Sequence, residues 1–174
     1  MCGIVGLFLK DKSMEAQLGA MLTDMLITMT DRGPDSAGIA IYSQDTVNIG
    51  KMTVQSDTPD VDFDKLTDDL KKRIKGDVDI RVQSTHAVLE LRADQVVVAR
   101  EALKEIRPNI RIMSTGDSLE IYKEVGLPKD VASRFDIAKM SGSHGIGHTR
   151  MATESAVTTM GAHPFNTGSD QCLV

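Results

Sequence analysis

The sequence predicts an α+β domain from three observations. A short apolar run begins at residue 3, a long stripe of leucine and methionine at helical spacing follows it, and further along strand-like runs alternate with short helical ones between turn-forming residues. At 174 residues the chain suits one compact domain with a sizeable core. Hydrophobic and charged shares of 41 % and 26 % are those of an ordinary globular protein. A net charge of −5, a pI near 5.3 and no extended basic run argue against nucleic acid and anionic membrane surfaces as partners. No apolar stretch approaches the roughly 20 residues that span a bilayer. The N-terminus carries no basic leader, so Cys2 and Cys172 are expected as reduced thiols in a cytoplasmic protein.

Gly3 to Leu9 is a short apolar run bracketed by glycines and reads as a buried strand. Ser13 is placed to cap a helix whose apolar residues, Met14, Leu18, Met21, Leu22, Met25, Leu26 and Met29, form a stripe suited to core packing. Turn formers occupy 31–36. Ala37 to Ser43 and Thr46 to Val54 then read as strands joined in a hairpin through Gln44-Asp45. The acidic stretch 56–64 is a linker or a helix lead-in, Phe63 to Ile74 is helical, and Lys71-Lys72-Arg73 complements that helix's C-terminal dipole. His86 to Leu91 is a strand and Ala93 to Ile106 a helix stopped before Pro108. Ile110 to Val125 holds two strands around Thr115-Gly116-Asp117, and Pro128 opens a short helix to about Arg134. Residues 56 to 140 read as an α/β insertion with no linker that would cut off a second domain. Gln171 to Val174 begins a strand, with Cys172 at an apolar position.

Three segments carry chemistry. In Met1-Cys2-Gly3-Ile4-Val5-Gly6, removal of Met1 would free an α-amine on the residue that holds the thiol. That amine, with an ordinary pKa of about 7.7–8.0, is partly neutral at physiological pH and can take a proton from the thiol. The plainer alternative is a small thiol buried in a strand. In Thr30-Asp31-Arg32-Gly33-Pro34-Asp35-Ser36-Ala37-Gly38, Arg32 and Asp35 could simply bridge across a turn. In Gly147-His148-Thr149-Arg150-Met151-Ala152-Thr153, followed by Gly161-Ala162-His163-Pro164-Phe165, an arginine at a strand end among hydroxyls and glycines suits bidentate capture of a carboxylate. A zinc site from His144, His148 and His163 has poor spacing and no thiolate pair.

In this order the three segments resemble the motifs of the class II, or N-terminal-nucleophile, glutamine amidotransferases. The resemblance implies an αββα sandwich of antiparallel sheets. It also implies hydrolysis of L-glutamine to glutamate and ammonia through a γ-glutamyl thioester at Cys2, with the α-amine as base and no cofactor. Arg150 would hold the substrate carboxylate with Thr153 beside it, and Arg32 and Gly33 would shape the pocket. The middle of the chain is similar to the glutamate-synthase-like branch, including small subunits resembling N-methylglutamate synthase components. That likeness implies a partner synthase subunit, of flavin and iron–sulfur type, that receives the ammonia. The family's Asn-Gly oxyanion pair is expected just after the strand begun by Gln171, beyond the residues present, so the chain is expected to be the N-terminal part of a longer or split protein. Another N-terminal-cysteine amidohydrolase and a non-catalytic assembly module of the same fold are the alternative readings.

Overall fold

The computed structural model describes residues 2–43, 46–153 and 156–174. It is an α+β protein in which two four-stranded antiparallel sheets carry separate helical layers. The first sheet has the order β1-β8-β2-β7, from β1 (Gly3–Phe8), β8 (His144–Arg150), β2 (Ser36–Tyr42) and β7 (Leu119–Val125). The second has the order β4-β5-β3-β6, from β4 (Val78–Gln83), β5 (His86–Arg92), β3 (Ile49–Gln55) and β6 (Arg111–Gly116). A small ribbon pairs β9 (Phe165–Gly168) with β10 (Gln171–Leu173). Residues 56–140 therefore supply three strands of the second sheet and the β7 edge of the first.

The leucine and methionine stripe forms α1 (Leu18–Thr28), led in by a 3-10 turn, Lys12–Gln17. Leu18, Leu22 and Leu26, one turn apart, bury fully against Val5, Ala37, Ile39 and Ile41 of the first sheet. The methionines sit at the margin of that contact. The cap of the 3-10 turn is Asp11, two residues before Ser13, whose carboxylate accepts both the Ser13 N–H at 2.9 Å and the Ser13 hydroxyl at 2.8 Å; Ser13 is therefore not the cap. Facing residues of antiparallel strands share a side of the sheet. Gly145 and Gly147 of β8 therefore face α1, and a Cβ on either would meet Leu22 or Leu26 at 2.6 and 2.9 Å.

The second sheet has its own apolar core. Leu66 and Leu70 of α3 (Leu66–Lys71) and Ala99 and Leu103 of α4 (Val96–Ile106) pack on Met52, Val54, Ala87, Leu89 and Leu91. The single helix expected over 63–74 is two pieces, α2 (Pro59–Asp62) and α3, separated where Lys65 adopts a left-handed φ of 52°. α5 (Pro128–Arg134) covers the β7 edge with Val131 and Ala132. Where the two sheets meet the contact is mixed: Met113 of β6 clusters with Ala40, Leu119 and Ile121, and Val88 of β5 with Ile39 and Tyr122, while Glu120 of β7 takes Lys51 at 3.5 Å, Arg81 at 2.8 Å and the Tyr122 hydroxyl at 2.7 Å.

The hairpin expected between 37–43 and 46–54 does not form. Gln44 and Asp45, its proposed turn, lie outside the described residues, but the strands on either side are in different sheets. Both flanks of β2 are already taken by β7 and β8, while β3 is sandwiched between β5 and β6. Among the described residues no helix is long and apolar enough to cross a membrane.

Candidate active site

The three chemistry-bearing segments meet at one end of the first sheet. β8 is flanked by β1 and β2, and its register sets Gly3 opposite Thr149 on one side and Ser36 opposite Arg150 on the other. The N-terminal residues, the start of β2 and the end of β8 are thus side by side.

Close backbone approach seals that meeting point. A Cβ on Gly3 would fall 2.8 Å from the Thr149 hydroxyl and 2.9 Å from the Met29 Cβ. A Cβ on Gly33 would fall 2.4 Å from the Thr149 carbonyl carbon and 2.5 Å from the Arg150 nitrogen, distances at which no side chain fits. The Thr149 hydroxyl donates to the Met29 carbonyl at 3.2 Å. Asp35 adds a splint: its backbone N–H donates to the Arg150 carbonyl at 3.1 Å, and its carboxylate accepts the Ala152 N–H at 2.7 Å. Asp35 therefore does not serve as a bridge to Arg32 across its own turn, because its carboxylate is turned to the segment that carries Arg150 and Thr153.

Of the residues singled out from sequence, Cys2 is exposed and its thiol is free, which removes the buried-thiol alternative. Met1 lies outside the described residues, and with it the expectation of its removal. Gly33 is buried between the strands, whereas Arg32 ends a 3-10 turn, Thr30–Arg32, and is exposed. Arg150 is half-buried, its Nη1 3.5 Å from the Ala156 carbonyl. Thr153 is exposed in a bend next to Glu154 and Ser155, which lie outside the described residues. The structure thus joins the backbones of all three segments and places Arg32 and Thr153 at their rim.

The opposite side of the sheet from α1 bears a second set of residues. His148 stacks on His163 with ring centroids 4.4 Å apart, and His163 meets the edge of Phe165 at 4.5 Å. Burial first, then the neighbouring His163 and Arg150, depress the His148 imidazole to about 4, and burial, with the charges of Lys123 and Arg150, lowers His163 as well. His144 stacks on Tyr42 at 4.0 Å instead of joining them. Among the described residues no group of three or more His, Cys, Asp or Glu side chains is placed to hold a metal ion. Cys172 sits in β10 with its sulfur 3.6 Å from the Tyr42 hydroxyl, at the edge of a small apolar cluster, as an apolar strand position would have it.

Sequence reasoning passed over two residues that shape this end of the sheet. Lys123 donates to the carbonyls of Ala162 and Pro164 at 2.7 and 3.0 Å. Glu124 accepts from Thr159 and, at 3.1 Å, from Thr85. Their signal was a lysine and a glutamate inside a strand buried on both faces, visible only once β7 is placed beside β2.

No family model matches the chain. Known proteins do resemble it. It is 63 % identical over 174 residues to the "Glutamine amidotransferase-like protein GlxB" of Rhizobium meliloti (strain 1021), a match covering 100 % of this chain and 58 % of that protein. It is 32 % identical over 178 residues to a "Putative glutamine amidotransferase" of Methanothermobacter thermautotrophicus, covering 95 % of this chain and 56 % of that one. A shorter match, 41 % identical over 62 residues, covers 36 % of this chain and 10 % of a "Glutamine--fructose-6-phosphate aminotransferase [isomerizing]" of Streptococcus pyogenes serotype M6. These likenesses support a glutamine amidotransferase domain. The chain spans a little over half the length of the two relatives it matches end to end.

Proposed function

We propose that the chain is the N-terminal part of a class II glutamine amidotransferase domain with a segment inserted at about 56–140, its two antiparallel sheets belonging to an N-terminal-nucleophile αββα sandwich. The observation that carries this reading is the packing of Gly3, Gly33 and Asp35 onto Thr149–Ala152, which gathers three separate segments around an exposed N-terminal thiol.

In the proposed reaction the α-amine of Cys2, freed by loss of Met1, takes the thiol proton. The thiolate attacks the γ-amide carbon of glutamine, the amine returns the proton to the departing nitrogen, and ammonia leaves a γ-glutamyl thioester. Water then hydrolyses the thioester to glutamate and restores the thiol. Arg150 is suited to the substrate α-carboxylate: its guanidinium presents two parallel donors, and its backbone is splinted by Asp35 and Gly33. Thr153 and Arg32 are assigned to the pocket rim on position alone. No cofactor enters this half-reaction, and the cytoplasm is the proposed setting. The ammonia is proposed to pass to a synthase subunit of flavin and iron–sulfur type, as in the glutamate-synthase-like branch.

The test is trapping of the thioester. Incubation of the protein with L-glutamine and hydroxylamine should yield γ-glutamyl hydroxamate, and Cys2→Ala should abolish it without altering the fold. Hydroxamate formation undiminished in Cys2→Ala would overturn the reading.

A further inference from the structure

Lys123 is an ammonium buried where charge is costly. It is 3 % exposed, and among the described residues no carboxylate lies within ion-pair distance of it. Isolated buried charges are rare because desolvation is not recovered unless every donor is used. Here the ammonium donates to two carbonyls of one segment, Ala162 and Pro164, and lies 4.2 Å over the Phe165 ring. Its three partners all belong to the segment that follows Arg150.

That segment is held at three further points. Thr159 donates to Glu124, the neighbour of Lys123 on the opposite side of β7. The Gly161 and Ala162 N–H groups close a turn onto Thr158 at 3.1 Å. Gly38 of β2 has no Cβ, and one built there would lie 2.1 Å from the His163 carbonyl, so the segment rests directly on the strand. In turn the segment borders the Arg150 guanidinium: Nη1 lies 3.5 Å from the Ala156 carbonyl and 3.4 Å from the point where a Gly161 Cβ would stand.

We propose that Lys123 is a positioning residue for substrate binding, resting on the reading of Arg150 as the carboxylate clamp. By holding the Ala162 and Pro164 carbonyls it fixes the segment from Ala156 to Pro164, and that segment sets where the Arg150 guanidinium meets the carboxylate of an amino-acid substrate. Lys123 itself touches no reacting atom. The cation is retained in an interior position because a neutral side chain of the same length would leave two carbonyls without a donor.

The experiment compares the wild-type chain with Lys123→Met. One readout is amide hydrogen exchange at Gly161 and Ala162 against amides of β2 and β8. The other is the rate of Cys2 alkylation as a function of the concentration of a γ-diazoketone analogue of glutamine, which loses dinitrogen on forming a thioether. The proposal expects exchange at Gly161 and Ala162 to quicken by about tenfold or more while β2 and β8 amides hold. It also expects the half-saturating analogue concentration to rise about tenfold, with the limiting rate within about twofold. A merely structural lysine would lower stability and leave that split unmoved. Unchanged exchange in the segment, or an unchanged half-saturating concentration, overturns it. If Lys123→Met does not fold, Lys123→Arg, which keeps the cation but pushes the segment outward by its bulk, must show the same split or the proposal fails. Should wild-type Cys2 show no saturable alkylation, the glutamine reading itself has failed, and exchange alone decides whether Lys123 holds the segment.

Discussion

The second sheet and the site end of the first are held together in opposite ways, although the first sheet also packs a leucine core under α1. The second buries leucine, valine and methionine under α3 and α4, and side-chain volume holds it together. At the site end of the first sheet, by contrast, the contacts are made by absent side chains: Gly3, Gly33 and Gly38 let backbone lie on backbone, and Asp35 stitches what they bring together. A packed core tolerates exchange of one apolar group for another of like volume. A glycine contact tolerates no added atom, so the site end gives up packing energy for closeness of approach.

This contrast can be broken by substitution. Leu70→Ala in the second sheet, at a fully buried position, should lower unfolding free energy by about 2–5 kcal/mol in denaturant titration and leave alkylation of Cys2 by the glutamine analogue unchanged. Gly33→Ala should cost less, about 1–3 kcal/mol, because the chain can shift locally to relieve the clash. It should nevertheless raise the half-saturating analogue concentration about tenfold or more, since the shift moves Thr149 and Arg150. Equal effects of the two variants on alkylation would remove the distinction between the regions.

Acid should sharpen the comparison at the seam between the sheets. His86 is fully buried against Phe135, and burial, with the Lys123 charge, depresses its imidazole to about 3. Between its ordinary value of about 6.5 and that folded value the unfolded chain binds the extra proton, so stability rises with pH across the window and is lost as pH falls. The expected slope for this histidine is at most about 1.4 kcal/mol per pH unit. His86→Leu should remove its share of the slope when unfolding is followed from pH 7 to pH 4, and an unchanged slope would contradict the assignment.

Much of this was legible in the sequence, and what was not had a common cause. An apolar run announced β1, alternation β5, the leucine and methionine stripe α1, and Pro108 and Pro128 the end of α4 and the start of α5, because each is a local matter of residue type and order. Strand membership was not local: Thr46 to Val54 looks like the second half of a hairpin until β7 is seen to occupy that side of β2. β4 and β9, short strands beside turns, were passed over, and Lys65 breaks a helix that periodicity alone joins up. The site followed the same division. Cys2 and Arg150 stood out by residue type and setting, whereas Asp35 and Lys123 gain meaning only from segments more than thirty residues away in the chain.

The central claim is that three separate segments form one glutamine-shaped site around Cys2. Its most direct test is the intact mass of the purified chain before and after exposure to the diazoketone analogue, with the adduct mapped by peptide. The account predicts a chain lacking Met1 that gains one adduct at Cys2, slowed by L-glutamine. It further predicts that Arg150→Ala requires about a hundredfold more analogue, the loss of one charge-assisted pair. Retention of Met1, or alkylation of Cys2 indifferent both to glutamine and to Arg150→Ala, would contradict it.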